Sequence, residues 1–228
     1  MVEPIVEMCR AAFGGDPRRG VRRVLLFLFA WTSLSLLSGC STLGADSQLE
    51  DRAALARLQQ RIDGLAAVQS WLAVGRMSVL NDREAYQAGV RWRQEPGLSE
   101  LNLVGPLGQG RARIRSSADG AVVDTGDGKH LQAESPEALM QSEFGWSVPL
   151  AGLEHWMLGR PAPETIAGRV DAFELDSVGR LSRLQQHGWS IQYLDYVPVS
   201  GLELPERMVL EHGDLSSKIV VNRWQISG

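Results

Sequence analysis

The stretch Tyr86-Gln87-Ala88-Gly89-Val90-Arg91-Trp92-Arg93 alternates apolar or aromatic side chains with polar or very small ones. Successive side chains of a strand point to opposite faces, so a period of two describes a strand with one face on a core and one in water. Tyr86, Ala88, Val90 and Trp92 form the core side, and Leu101 and Leu103 follow in the next segment. Comparable pieces are Ala112–Arg115, Ala121–Thr125, Lys129–Ala133, Arg169–Leu175, Leu181–Gln186, Ser190–Leu194, Arg207–His212 and Lys218–Gln225. Short strands at such regular spacing, with Gly and Asp turns between them, predict an antiparallel sheet curled toward a barrel.

Two helical interruptions break the strand series. Ser135-Pro136-Glu137 offers a capping hydroxyl and a proline at the first helical position, and Gly145 is a stop. A second helix is expected from about Leu150 to Leu158, ending at Gly159-Arg160-Pro161. Helices inserted midway into such a sheet can cover or fill its concave side, and the fold class is therefore α+β.

Before Trp71 the period changes. Leu55, Leu58, Ile62, Leu65 and Val68 recur every three or four residues, with Leu49 upstream, which predicts an amphipathic helix. Further toward the start, Arg18, Arg19, Arg22 and Arg23 precede the apolar run Val24–Leu37, and Ser38, Gly39 and Cys40 follow it. A basic flank, a short apolar run and small residues before a cleavage point are the parts of a secretory signal. The run is shorter than the ~20 residues that span a bilayer. Leu37-Ser38-Gly39-Cys40 resembles a lipobox, in which the thiol of Cys40 accepts diacylglycerol. The expected organisation is a signal peptide over 1–39, a lipidated N-terminus and tether over 40–47, and one domain over 48–228. Ser41 stands where an Asp would, by analogy with known sorting signals, favour the inner membrane, so the expected location is the periplasmic face of the outer membrane.

Of the 23 basic and 27 acidic residues, five and three fall before Cys40, leaving an acidic mature chain that suits nucleic acid poorly. With Cys40 lipidated, no other cysteine follows it for a disulfide or a thiolate metal site. His130, His155, His187 and His212 are scattered without the spacing of a metal helix. No Gly-x-Ser-x-Gly elbow is present, and acidic pairs such as Asp124 and Asp127 read as turns. The chain is expected to be neither an enzyme nor dependent on a cofactor or metal. A structural envelope lipoprotein remains the alternative.

Gly105-Pro106-Leu107-Gly108-Gln109-Gly110 lacks the Gly-Lys-Ser/Thr ending of a phosphate loop and precedes a strand. It reads as a turn with Pro106 at i+1 and Gly108 at i+3, which puts Leu107 at its tip. An apolar side chain there is either folded back into the core or presented to lipid or an acyl chain. Arg111, Arg113 and Arg115 share one strand face, as do Arg91 and Arg93. A solvated sheet face is the commoner fate of such rows, and anionic headgroups are the other. Six tryptophans follow Cys40, at 71, 92, 146, 156, 189 and 224. Most suit a core, though a curled sheet rich in Trp and Leu can also enclose an apolar cavity.

Taken in order, these residues resemble the LolB family of outer-membrane lipoprotein receptors. The matching pieces are Cys40 in its lipobox, Trp71-x-x-x-Gly75-Arg76, Tyr86 through Trp92, and Gly105-Pro106-Leu107-Gly108. They continue with Phe144 through Leu150, Leu153-x-x-Trp156-x-x-Gly159, Gln186-His187-Gly188-Trp189 with Tyr193, Leu204-Pro205-x-Arg207, and Trp224. The resemblance implies a half-open antiparallel β-barrel, a strongly curved sheet, with helices over its concave hydrophobic side. It implies a monomer that receives triacylated lipoproteins from the periplasmic carrier LolA and inserts them into the inner leaflet of the outer membrane. Pro106, Leu107 and Gly108 fall on the family's protruding loop. Trp71, Trp92, Leu103, Trp146 and Trp156 are the candidates for the acyl-binding cavity.

Overall fold

A computed structural model describes residues 43–82, 84–108, 110–145 and 147–227, with side chains throughout except at 43–51 and 144. Cys40 and Trp146 lie outside the described residues. Ala54–Gly228 forms one compact unit, and it holds a single sheet of 11 strands. In chain order these are β1 (Ser70–Leu80), β2 (Ala85–Glu95), β3 (Leu98–Val104), β4 (Arg111–Ser117), β5 (Gly120–Thr125) and β6 (His130–Ala133). After the helices come β7 (Val170–Leu175), β8 (Leu181–Gln186), β9 (Trp189–Val199), β10 (Leu202–His212) and β11 (Leu215–Ser227).

The spatial order is β6-β5-β4-β3-β2-β1-β11-β10-β9-β8-β7. Neighbours are antiparallel hairpin partners except at the centre, where β1 pairs with β11. β6 and β7 are the two free edges, so the sheet is curved but unclosed, the half-open barrel that the resemblance implies. The central seam carries a register shift between Val74 and Gly75. A Cβ on Gly75 would lie 2.0 Å from the carbonyl oxygen of Val220, so only glycine permits this approach of β1 to β11.

The alternation foreseen for β2 is present. Trp92 is buried, whereas Arg91 and Arg93 are exposed. One face of the sheet carries the core residues Trp71, Ala73, Val79, Leu101, Ile114, Val123, Leu210, Ile219 and Val221. The helices between the two edge strands add to that core: α2 (Pro136–Phe144), α3 (Leu150–Met157) and α4 (Glu164–Ala167). α2 begins as expected, with the Ser135 hydroxyl accepting from the Ala138 amide at 3.2 Å, and ends at Gly145 with φ 72°. Glu137 of α2 accepts from the Leu150 amide at 2.8 Å, which ties the start of α3 to the start of α2. α3 buries Leu150, Gly152, Leu153, Trp156 and Met157.

The helix before the sheet, α1, spans Leu43–Ala66, so its backbone begins within the stretch assigned above to the tether. Leu58, Leu65 and the following Val68 are buried, and Ile62 packs partly against the core. Leu55 departs from the expected stripe and is 53% exposed. It lies about one turn before Leu58, where the buried stripe starts. The short α4 had no signal in the periodicity, since four residues cannot display a helical repeat.

Candidate functional site

The link from β3 to β4 is the turn Pro106–Gly108. The Gly108 amide donates to the Gly105 carbonyl at 3.1 Å, and the Gly105 amide donates to the Gly110 carbonyl at 2.9 Å. Pro106 therefore stands at i+1 and Gly108 at i+3, as the sequence predicts. Leu107, at i+2, has φ 57° and ψ 18°, the left-handed region that an L side chain enters at a cost of about 1–2 kcal/mol. Its side chain is 97% exposed. Of the two fates left open for this residue, presentation to the surroundings is the one adopted. A large apolar side chain held out by a strained backbone gains nothing from folding; His187 and Ser200 share the left-handed backbone, but neither carries an apolar side chain.

The base of this turn borders an apolar opening. A cavity of about 530 Å³ is lined by Met77, Val79, Leu103, Ala112 and the turn residues Gly105 and Pro106, among others. Met77 and Leu103 also line the space deeper in the fold, with Trp92, Met140, Leu153 and Met157. That inner space is about 40 Å³, little more than the ~30 Å³ a single water occupies in the liquid. Three of its walls are methionines, whose unbranched side chains repack at low cost. The interior is thus filled by adaptable side chains, and Met77 and Leu103 form a common wall between it and the open mouth beside the turn.

The candidate cavity residues divide. Trp92 and Leu103 line the inner space. Trp71 is stacked edge-on against both Trp92 (5.1 Å between centroids) and Trp224 (5.4 Å), and it is not among the lining residues. Trp92 is fixed by donation from its indole to the Ser99 hydroxyl at 2.8 Å. Trp156 is fully buried and also lies outside the lining; its indole donates to Gln186 Oε1 at 3.0 Å.

Gln186 belongs to a predicted strand and to the resemblance, but its role in the scaffold has no sequence signal. It is fully buried on β8. Its Oε1 accepts from Trp156 and from the Ala162 amide, and its Nε2 donates to the Ala162 and Gly168 carbonyls, each at 2.8 Å. All of its polar capacity is spent holding α3 and the start and end of the α4 segment onto the sheet. A glutamine inside a strand gives no sign in sequence of which neighbours it will join.

A second cleft, of about 370 Å³, is lined by Trp71, Gln94, Glu154, His155 and Arg160, among others. Burial pushes the Glu154 carboxyl up to about 7, opposed by a hydrogen bond with Ser99 and assisted by the nearby Glu137 charge. Burial holds the His155 imidazole down at about 4, with the Arg160 charge acting in the same direction. Among the described residues, no group of three His, Cys, Asp or Glu side chains gathers in metal-binding geometry.

Residues 69–224 match the family model described as "Outer membrane lipoprotein LolB". The outer-membrane lipoprotein LolB of Pseudomonas paraeruginosa is 34% identical over 203 residues, covering 89% of this chain and 97% of that protein. LolB of Stutzerimonas stutzeri is 32% identical over 190 residues, covering 83% and 90%. A LolA-superfamily protein from Nitrosomonas europaea aligns in structure at a TM-score of 0.45 and 10% identity, over 77% of this chain and 92% of that one. The sequence match spans the sheet, the inserted helices and the exposed turn together, and the chain belongs to the LolB family of outer-membrane lipoproteins.

Proposed function

We propose that this protein accepts the acyl chains of triacylated lipoproteins from the periplasmic carrier LolA and inserts them into the inner leaflet of the outer membrane, held there by its own lipidated Cys40. The observation that carries this reading is the adjacency of three features: the adaptable interior, the apolar mouth that shares Met77 and Leu103 with it, and the fully exposed Leu107 on the turn that borders that mouth. An acyl chain leaving the interior past Met77 and Leu103 emerges beside a leucine that is itself available to enter lipid. A structural lipoprotein has no use for a strained leucine held in water.

The direction of transfer needs no nucleotide. Carrier, receptor and bilayer must hold the chains with successively lower free energy, and each tenfold bias takes about 1.4 kcal/mol. Burial of one or two further CH₂ groups at each stage, at about 0.8 kcal/mol each, supplies it. Entry of a chain displaces Met77, Met140 and Met157 from the inner space, so the cost of opening is repacking of flexible side chains and not a break in the sheet.

The test mixes a Cys40→Ala chain with carrier loaded with a triacylated lipoprotein, followed by pull-down and then by addition of liposomes. Cargo should pass to the receptor. Leu107→Glu should leave that step intact and block incorporation into liposomes. Cargo that stays on a competent carrier, or normal incorporation by Leu107→Glu, would sink this reading.

A further inference from the structure

The outward face of the sheet next to the turn has a composition that acyl transfer does not explain. Residues paired directly across an antiparallel sheet share a face. The pairs Arg207–Val220, Val220–Arg76, Arg76–Gly89, Gly89–Val104 and Val104–Arg111 therefore form one continuous row across six strands, from β10 to β4. In the adjacent row Arg91 and Arg113 flank Asn102, and Lys218 lies opposite Ser78 on the other side. All of these cationic side chains are exposed.

Few of them are neutralised. Arg207 is paired with Asp195, and Arg113 donates to Asn102 at 3.0 Å. Arg76, Arg91, Arg111 and Lys218 have no ion pair or hydrogen bond to a side chain among the described residues. Such a concentration of unpaired positive charge stands on a chain whose formal net charge is −4.

The face is also shaped. A groove of about 620 Å³ runs between Arg76, Arg207 and Lys218, over a floor of Gly89, Val104 and Val220, and reaches Gly105 and Pro106 at the base of the turn. Gly89 is what keeps this floor open. Its backbone is not in the left-handed region, and a Cβ there would meet only the Val104 carbonyl oxygen at 3.7 Å, so the strand itself would accept a larger residue. Gly105 and Pro106, together with Met77, Gln87 and Ala88, line both the apolar mouth and this groove, so the two meet at the base of the turn.

We propose that this groove and the arginines beside it bind the phosphates of anionic phospholipid headgroups at a bilayer surface. The proposal rests on the membrane-insertion reading of Leu107, because a bilayer that receives the tip brings its headgroup layer level with the base of the same turn. The mouth and the groove then engage the two chemical layers of one leaflet. Acyl chains meet the mouth and Leu107, and phosphates meet Arg76 and Lys218. Long-range attraction of this kind falls off within a Debye length and weakens with salt.

The experiment uses the Cys40→Ala chain and flotation with two kinds of vesicle, phosphatidylcholine alone and phosphatidylcholine with phosphatidylglycerol at about 7:3. Binding to the anionic vesicles should exceed binding to the neutral ones and fall sharply at 0.5 M salt. Arg76→Gln with Lys218→Gln should lower anionic binding by about 25-fold, on the basis of about fivefold per cation near such a surface. Both side chains are exposed, so melting temperature should not move. Arg76→Lys with Lys218→Arg should retain binding. Leu107→Asn, in contrast, should weaken binding to both vesicle types by similar factors.

Equal binding of the double variant and its parent to anionic vesicles would overturn the proposal while leaving the insertion reading intact. Loss in the double variant with no effect of Leu107→Asn would overturn the insertion reading instead. If the double variant binds vesicles normally but no longer takes cargo from the carrier, the face serves the carrier and the headgroup proposal fails.

Discussion

Replacing Leu107 by Asn should make the protein more stable and less active at once. The left-handed backbone at this position costs an ordinary L side chain about 1–2 kcal/mol, and Asn is among the few residues that adopt it readily. With 97% of the leucine exposed, its removal sacrifices no burial in the folded state. Part of the strain should therefore return as stability, up to about 1 kcal/mol, or about 2–4 °C in Tm for a domain of this size. The same change deletes a side chain whose transfer out of water contributes about 1.5–3 kcal/mol. Delivery of cargo into liposomes should then fall by about 10- to 150-fold. Thermal unfolding by circular dichroism and liposome incorporation can be read on one preparation. A Tm lowered by several degrees would show that Leu107 packs against its own domain, and unchanged delivery would show that its exposure serves nothing. Either result refutes the reasoning.

Two further expectations concern the scaffold. Gln186→Leu strands the Trp156 indole, the Ala162 amide and two carbonyls, and urea unfolding should show a loss of at least about 3 kcal/mol; a loss below 1 kcal/mol would mean that these groups find other partners. Glu154 and His155 should give opposite pH dependences. The folded Glu154 carboxyl keeps its proton up to about 7, above its unfolded range near 4.5, so its contribution declines as pH rises between those values. The folded His155 releases its proton at about 4, below the unfolded value near 6.5, so its contribution grows with pH across an overlapping window. Glu154→Gln should expose the rise, and His155→Gln the decline, each with a slope below the one-proton limit of about 1.4 kcal/mol per pH unit because both groups keep some access to water. Identical stability profiles of the two variants between pH 4.5 and 6.5 would contradict this assignment.

Most strands were legible because alternation reports directly which side chains a half-buried sheet must hide; the central β1 was not among the predicted pieces, since Trp71, Leu72 and Ala73 are buried in succession and break the alternation. Tyr86 through Arg93 is the clearest case, and Ser135 with Gly145 marked α2 in the same local way. The turn geometry was legible too, since Pro106 and the flanking glycines restrict the backbone to few options. The tryptophans were not. Trp92 and Trp156 are both buried and both donate a hydrogen bond, yet only Trp92 borders the inner space. That difference depends on where the inserted helices lie over the sheet, which no local pattern encodes. The basic row was only half visible for the same reason: alternation along β2 and β4 groups Arg91 with Arg93 and Arg111 with Arg113, but joining Arg76 and Arg207 to them requires the register of six strands.

The pairing of β1 with β11 has a consequence for how the molecule comes into being. Ser70 pairs with Ser227, so the two ends of the sheet's chain meet at its middle, and the outermost strands come from the middle of the sequence. Until the last 13-residue strand is available, β1 to β6 and β7 to β10 are two separate half-sheets, each with an unprotected inner edge. Ladders between such distant segments form slowly, and open edges invite pairing with other chains. The nascent protein is therefore most open to such pairing before β11 emerges, and loss of that strand divides the domain along its centre instead of trimming its border.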